Sequence, residues 1–199
     1  MSQRLILASS SPRRKELLES VGLTIEVINP SADEVMHGGE SPGEFASRVA
    51  FEKAASVSRG LDGDSLVLGA DTIVVVDGAV LGKPVDEEDA ARMLGLLSGN
   101  EHYVLTAFSI LRPREELLHA EIVSTSVRVR RLAASDIEGY IKTGEPMDKA
   151  GAYGIQGIGA FMVEGITGSY TNVVGLPVPE VLRALTRLGA VRLFDTDES

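Results

Sequence analysis

The stretch SLVLGADTIVVV, residues 65–76, is the most apolar strand pattern in the chain and contains one carboxylate, Asp71. A short, nearly continuous aliphatic run of this kind predicts a buried β-strand. The following Asp-Gly pair at 77–78 is typical of a tight hairpin turn into a short partner strand. An ionised carboxylate in such a strand is costly unless it is paired, hydrogen-bonded or metal-bound. Asp71 therefore either caps or bulges the strand or serves a site, and Gly69 would let a ligand approach the backbone.

Helical and strand patterns alternate on both sides of this strand. The mixture predicts an α/β protein with a mixed sheet and flanking helices. No repeat, linker or shift in composition marks a boundary, so we predict one domain over residues 1–199. The predicted elements are strands at 4–8, 24–29, 65–76, 102–113 and 120–132, and helices at 12–21, 42–58, 86–99 and 177–189, with a short helix boxed by Ser135 and Glu138.

Composition narrows the class of protein. The chain has 199 residues and is 44% hydrophobic, which is enough to form a sizeable core. It contains no cysteine, which excludes disulfides and thiolate metal sites. Its formal net charge of −10 argues against nonspecific nucleic-acid binding. No apolar run approaches the roughly 20 residues of a membrane span, and no signal peptide is evident. We expect a soluble cytoplasmic protein with no membrane or nucleic-acid partner.

The stretch LILASSSPRRKELLESVG, residues 5–22, places cations where they are unusual. A strand pattern and a hydroxyl-rich turn lead into a Ser-Pro helix start, which Arg13, Arg14 and Lys15 follow at once. The positive end of a helix dipole normally favours acids there. A bound anion such as phosphate would explain the cations, since free backbone N–H groups and arginines suit phosphate oxygens. The alternative is an exposed helix start whose arginines pair with nearby acids.

Three further residues fit poorly as structure alone. Lys53 falls on the apolar face of the predicted helix at 42–58, so it either extends to the rim or meets a buried anion. Lys83 lies in the turn LGKP, and a Lys-Pro pair of this kind usually has a structural and not a functional role. Gln156 is flanked by glycines in GIQG, as expected where an amide must face a flat group without hindrance.

Together these residues supply a phosphate cradle, additional cations, carboxylates and one amide that could read a base edge. Asp33 and Glu34, in the loop after the second predicted strand, could add an oxygen ligand for Mg²⁺. A nucleoside triphosphate with a metal ion fits this set better than a sugar or a peptide. The absence of a G-x-x-x-x-G-K-[ST] string argues against a P-loop enzyme.

The sequence also resembles a known family, and four blocks carry the resemblance. They are LILASSSPRRKELL, RVAFEKA, VLGADTIVVVDGAVLGKP and DKAGAYGIQGIGAFMVEGITGSYTNVVGLP, and they resemble, in order, the signature blocks of the Maf family of nucleoside triphosphate pyrophosphatases. The resemblance implies a fold related to the inosine triphosphate pyrophosphatase group, with an elongated mixed sheet and two lobes around a cleft. It also implies metal-dependent hydrolysis of a nucleoside triphosphate to the monophosphate and pyrophosphate.

The resemblance assigns roles by motif. It implies that Asp71 is the proton acceptor that activates water. It implies a divalent cation, Mg²⁺ or Mn²⁺, held by Glu34 and Asp71. The implied phosphate-binding residues are Ser9, Arg13, Arg14, Lys53 and Lys83, and the implied base-selecting residues are Arg13, Thr72 and Gln156. Thr72 should point to the opposite face from Asp71 if the strand is regular.

The blocks also indicate a branch of the family. SPRR, ADT and GIQG resemble the branch that acts on dTTP and UTP, with CTP and modified pyrimidine nucleotides as further candidates, whereas the 7-methyl-GTP branch resembles SPWR, SDQ and SEG. The chemistry agrees, because the amide of Gln156 can both donate to and accept from a thymine or uracil edge. The alternatives are the 7-methyl-GTP branch and a nucleotide-binding regulator, for instance of septum formation. The expected partner is a small nucleotide, and a homodimer is left open.

Overall fold

The computed structural model describes residues 3–192, and its core element is one seven-stranded sheet. Residues 1–2 and 193–199 lie outside the described residues. The single domain over residues 1–199 therefore remains a prediction. The described strands are β1 (Arg4–Ala8), β2 (Glu26–Ile28), β3 (Ser65–Val76), β4 (Ala79–Leu81), β5 (Glu101–Arg112), β6 (Glu116–Val129) and β7 (Val163–Thr167). The described α-helices are α1 (Pro12–Ser20), α2 (Pro42–Ser58), α3 (Glu87–Leu97), α4 (Ala134–Ile141), α5 (Tyr170–Val174) and α6 (Val178–Arg187).

The sheet is mixed, as the sequence predicts. Its strand order is β2-β1-β3-β5-β6-β7, and β4 pairs with β3 off this path. β1 runs parallel to β2 and β3, whereas β3, β4, β5, β6 and β7 pair antiparallel. The predicted α/β class with a mixed sheet is therefore confirmed.

Helices cover the two faces of β3 differently. On one face, α1 and α6 pack their apolar side chains against β1 and β3. On the other face, α2 packs against β1, β3 and β5. A further apolar cluster lies between α3, α4 and the far ends of β3, β5 and β6. The core thus divides into two regions along the sheet, which accounts for the two predicted lobes.

Local sequence signals account for most element boundaries. Ser41 Oγ accepts from the Glu44 N–H, and the Glu44 carboxylate accepts from the Ser41 N–H, so the predicted capping box starts α2. Asp77 and Gly78 both have positive φ, as a tight turn between β3 and β4 requires. Asp86 caps α3 through the Asp89 N–H.

The predicted cap of the short helix α4 is wrong. The helix begins two residues earlier than a Ser135 cap would allow, with Ala133 in the N-cap position. Asp136, instead of Glu138, reaches back and accepts from the Ala133 N–H at 3.1 Å. The acid three residues after the cap decides the boundary, because it can bind the free N–H at the start of the helix.

No helix within residues 3–192 is long and apolar enough to cross a membrane.

Candidate active site

The site forms where strand β3 lacks a neighbour along part of one edge. β1 pairs with residues 65–69 of β3, and β4 pairs with residues 74–76. Within the described part of the chain, no strand covers residues 70–73 on that edge, just beyond the carboxyl end of β1. Ligands of α/β proteins bind at such carboxyl ends of parallel strands. A cavity of about 880 Å³ lies here.

This gap explains why two side chains on opposite faces of β3 share one cavity. Asp71 follows Val67 and Gly69 on the face packed by α2, whereas Thr72 follows Ala70 on the face packed by α1 and α6. The predicted alternation is therefore observed. Both side chains nevertheless line the cavity, because the strand edge between them is open.

The cavity brings together the nine residues to which the family resemblance assigns roles, whereas Asp33, the other candidate Mg²⁺ ligand, does not line it and contacts His37. Its walls come from the β1–α1 turn, the loop before α2, α2 itself, the middle of β3, the turn after β4 and the glycine-rich stretch near residue 150. The predicted residues among its lining are Ser9, Arg13, Arg14, Glu34, Lys53, Asp71, Thr72, Lys83 and Gln156.

A buried ion pair lies at the base of the cavity. Lys53 and Asp71 are each only 8% exposed, and Lys53 Nζ donates to Asp71 Oδ1 at 2.8 Å. The same ammonium lies 2.8 Å from Glu34 Oε1. Lys53 therefore meets a buried anion and does not extend to the rim. Partial burial opposes ionisation of Glu34, but the hydrogen bond and charge of Lys53 outweigh it and lower the pKa of that carboxyl.

Gly69 allows helix α2 to come close enough for this pair to form. A Cβ at Gly69 would lie 2.4 Å from the Ala50 carbonyl oxygen and 2.6 Å from the Ala54 nitrogen. A Cβ atom does not approach backbone atoms this closely in folded proteins, so a side chain at this position would force the backbone to move. The prediction that Gly69 admits a ligand is therefore wrong: it admits the backbone of α2, which brings Lys53 against Asp71.

The two arginines of α1 differ in burial and in partners. Arg14 is 8% exposed and donates to the Gly175 carbonyl at 2.7 Å, to Thr72 Oγ1 at 3.0 Å and to Ser9 Oγ at 3.2 Å. Burial lowers the pKa of the Arg14 guanidinium, and the charge of Asp71 partly offsets that effect. Arg13 is more exposed, and its Nη1 lies 3.1 Å from Asp148 Oδ2. Arg14 is thus fixed, while Arg13 is held by a single exposed acid.

Two charged residues of the cavity were missed by the sequence reasoning. Asp148 and Lys149 both line the cavity, and Lys149 Nζ donates to Asp148 Oδ1 at 2.6 Å. Asp148 therefore contacts both Arg13 and Lys149. Their signal was present in the block DKAG, where a charged pair directly precedes a glycine-rich turn.

Gln156 and Lys83 are the most open of the predicted residues. Gln156 is exposed and directly precedes a 3₁₀ turn at Gly157–Met162. Lys83 is exposed in the turn after β4, where its charge contributes to the lowered pKa of Glu34. Both residues line the cavity.

The carboxylates of the cavity fit a cation that is shared with a substrate. No group of three or more His, Asp or Glu side chains suited to a metal ion occurs within residues 3–192. Glu34 and Asp71 nevertheless converge on one point, since both contact Lys53 Nζ. Mg²⁺ is commonly held by one or two carboxylates together with substrate phosphates and water. Glu34 and Asp71 are therefore two carboxylates of the cavity that could hold such a cation together with substrate phosphates.

The fold and site together define an α/β protein whose cavity is lined by five cationic side chains and three carboxylates. Residues 4–188 match the family model described as Maf-like protein. The chain belongs to the Maf family.

Curated relatives match this chain over almost its whole length. The dTTP/UTP pyrophosphatase of Symbiobacterium thermophilum is 52% identical over 187 residues, covering 94% of this chain and 95% of the relative. The dTTP/UTP pyrophosphatase of Clostridioides difficile is 46% identical over 190 residues, covering 96% and 97%. Among solved structures, a nucleoside-triphosphatase/dITP/XTP pyrophosphatase from Mycobacterium abscessus aligns with a TM-score of 0.42 and 17% identity, over 94% of this chain and 97% of its own.

Proposed function

We propose that this protein is a dTTP/UTP pyrophosphatase, which hydrolyses the nucleoside triphosphate to the monophosphate and pyrophosphate. Relatives of that name at 46–52% identity support the proposal. The structural observation that carries it is the Lys53–Asp71 pair at the base of a cavity lined by arginines. A module that only binds nucleotides has no need of a buried carboxylate beside the phosphate-binding cations.

The triphosphate binds between the β1–α1 turn and α2. Arg13 and Arg14 can each make charge-assisted hydrogen bonds to phosphate oxygens. Ser9 and the N–H groups at the start of α1 add neutral donors on the same side. Lys53 and Lys83 bring positive charge from the other elements that line the cavity.

Asp71 acts as the general base. It takes a proton from a water molecule, whose oxygen attacks phosphorus and forms a new P–O bond. The anhydride bond between the α- and β-phosphates breaks, and pyrophosphate leaves with the bonding electron pair. Lys53 holds the carboxylate in place and balances the negative charge that builds up on the phosphate oxygens.

Glu34 and Asp71 would hold the divalent cation, Mg²⁺ or Mn²⁺. When bound, that cation supplies charge neutralisation at the phosphates and withdraws electron density from phosphorus. Lys149 adds a further cation at the same cavity.

Thr72, Arg13 and Gln156 select the base. The Gln156 amide can donate to a carbonyl of thymine or uracil and accept from N3–H, which is the pattern on that edge. Thr72 is held by Arg14 and by a hydrogen bond with Thr106 Oγ1 at 2.9 Å. A rigid hydroxyl at this position restricts how a base can lie in the cavity.

The test is pyrophosphate release from a panel of nucleoside triphosphates, with Mg²⁺, with Mn²⁺ and with chelator. We expect the highest kcat/KM for dTTP and UTP and no turnover in chelator. Preferred turnover of 7-methyl-GTP would place the chain in the other branch of the family. Tight dTTP binding without pyrophosphate release would support a nucleotide-binding regulator and contradict the proposal. A cytoplasmic location and a homodimer stay predictions.

A further inference from the structure

The loop of residues 154–159, which carries Gln156, is held in place by one carboxylate and one phenol. The carboxylate is Glu145, which follows α4, and the phenol is Tyr140 on α4 itself. Glu145 Oε2 accepts from the Ile158 N–H at 2.9 Å, and its Oε1 accepts from the Gly159 N–H at 2.9 Å. Both contacts lie on the C-terminal side of Gln156.

Tyr140 extends this contact to the other side of Gln156. Its hydroxyl donates to Glu145 Oε1 at 2.9 Å and accepts from the Gly154 N–H at 3.3 Å. The paired side chains therefore bind backbone N–H groups on both sides of Gln156. A loop whose N–H groups are satisfied by a fixed side chain loses much of its freedom to change conformation.

The glycines of the loop are required by this same contact. A Cβ at Gly157 would lie 2.9 Å from Glu145 Oε2, and Gly157 has a φ of +71°. A Cβ at Gly159 would lie 2.6 Å from the Tyr140 hydroxyl and 2.3 Å from the Gly154 carbonyl oxygen. These glycines serve the packing of the loop on Glu145 and Tyr140. They are not explained by free space for a base.

A second contact fixes Glu145 from the cavity side. Lys149 Nζ donates to the Glu145 carbonyl oxygen at 2.7 Å, and its Cε would lie 2.8 Å from a Cβ at Gly154. Lys149 also contacts Asp148, which pairs with Arg13. Lys149 and Asp148 thus connect the backbone of Glu145 to Arg13 on the other side of the cavity.

We propose that Glu145, supported by Tyr140, is a positioning residue that sets the base selectivity of this site by fixing the loop that presents Gln156. This rests on the proposed function, because selectivity for thymine and uracil nucleotides is its readout. Glu145 does not line the cavity. It acts only through the backbone of residues 154–159.

The experiment compares Glu145→Ala with wild type in kcat/KM for dTTP and GTP, and in amide hydrogen exchange of Ile158 and Gly159. We expect the ratio of kcat/KM for dTTP over GTP to fall by about 10-fold or more, because Gln156 is no longer held where it can contact the base. Exchange at both amides should become faster. Asp86→Ala is the matched control, because it also removes a carboxylate that accepts from a backbone N–H, and Asp86 shares no hydrogen bond with the loop.

Two milder variants keep the test decisive if Glu145→Ala does not fold. Tyr140→Phe removes only the hydroxyl, and Glu145→Gln retains one carbonyl acceptor. Both should lower the ratio less than Glu145→Ala. Faster exchange with an unchanged ratio in any of these variants would overturn the inference, and so would an equal loss for dTTP and GTP. If wild type itself does not prefer dTTP over GTP, the proposed function fails first, and the inference fails with it.

Discussion

Lys53 Nζ lies 2.8 Å from Asp71 Oδ1, and both side chains are almost fully buried. The contact joins helix α2 to the middle of β3, 18 residues apart in sequence. Each charge offsets the desolvation cost of the other, and Glu34 provides a second acceptor at the same ammonium. Lys53 therefore fixes the position of the carboxylate that we propose as the general base.

Asp71→Asn should abolish most hydrolysis and leave nucleotide binding largely intact. An amide cannot take the proton from water, and a positioned general base contributes about 10²–10⁴-fold to rate. The variant should stay folded, since Glu34 still pairs with Lys53. Pyrophosphate release and calorimetric binding of dTTP measure the two effects. The exposed Asp62→Asn serves as the control, and near-normal turnover in Asp71→Asn would refute the assignment.

Gly69→Ala should destabilise the protein strongly and lower activity in whatever fraction folds. The new Cβ would overlap the backbone of α2 at 2.4 Å, so the helix must move and carry Lys53 away from Asp71. Overpacking of this kind typically costs about 1–3 kcal/mol or more. Urea denaturation at neutral pH gives the free energy of unfolding.

Gly95→Ala is the matched control for that experiment. Gly95 lies exposed within α3, and a Cβ there would meet no atom within 4 Å. Alanine should stabilise the protein by about 0.5–1 kcal/mol, because it favours the helix more than glycine does. Similar destabilisation by the two variants would contradict the role given to Gly69.

Arg13→Ala and Arg14→Ala should differ in stability but not in the direction of their effect on activity. Each loses charge-assisted bonds to phosphate of about 1.5–3 kcal/mol, or roughly 10- to 150-fold in kcat/KM. Arg14→Ala also removes the shorter of the two hydrogen bonds to the buried Gly175 carbonyl, which keeps only the Thr72 hydroxyl at 3.3 Å, so the melting temperature of this variant should fall further. Thermal unfolding without ligand checks the difference. Normal kcat/KM in both variants would show that this helix start does not bind the triphosphate.

Gln156→Glu should reduce selectivity for pyrimidine nucleotides. The carboxylate can only accept, so it faces the carbonyl groups of thymine and uracil with no donor between them. We expect kcat/KM for dTTP and UTP to fall roughly 5- to 150-fold, which corresponds to about 1–3 kcal/mol. The deciding value is the ratio of kcat/KM for dTTP over GTP in variant and wild type. An unchanged ratio would mean that Gln156 does not read the base.

The buried His102 should make the fold sensitive to acid. Its Nε2 lies 2.7 Å from the Tyr153 hydroxyl, and its Nδ1 has no hydrogen-bond partner among residues 3–192. Burial lowers the pKa of His102 from 6.5 to about 4. Between these values the unfolded chain binds the proton and the folded chain does not, so stability falls as pH drops from about 6.5 towards 4.

That loss amounts to about 2 kcal/mol between pH 7 and pH 5 for this histidine alone. His102→Gln should remove this pH-dependent loss, because glutamine does not bind a proton in this range. The unfolding free energy of wild type should therefore approach that of the variant as pH falls. Urea denaturation at pH 7 and pH 5 measures both. If the difference in unfolding free energy between wild type and variant is the same at pH 7 and pH 5, burial of His102 does not make the fold sensitive to acid.

The sequence by itself determined most of the elements and most of the residues of the site, but it predicted neither β7 nor α5 and missed Asp148 and Lys149. The apolar run at 65–76, the Asp-Gly turn and the Ser41 capping box act through neighbours a few residues away, so their patterns predict β3, the hairpin and α2 correctly. The candidate site residues could be found because charges in apolar patterns and between glycines are conspicuous. The α4 boundary was missed because two acids compete to cap it and only backbone geometry decides between them.

Tertiary structure decided how those residues meet. Residues 70–73 of β3 are uncovered because β1 ends and β4 begins at particular registers, and that opens one cavity to Asp71 and Thr72 from opposite faces. The partners of Lys53, the packing role of Gly69 and the hold of Glu145 on the Gln156 loop all depend on contacts between distant segments. Such contacts follow from strand register and helix packing, which side-chain patterns along the chain do not specify.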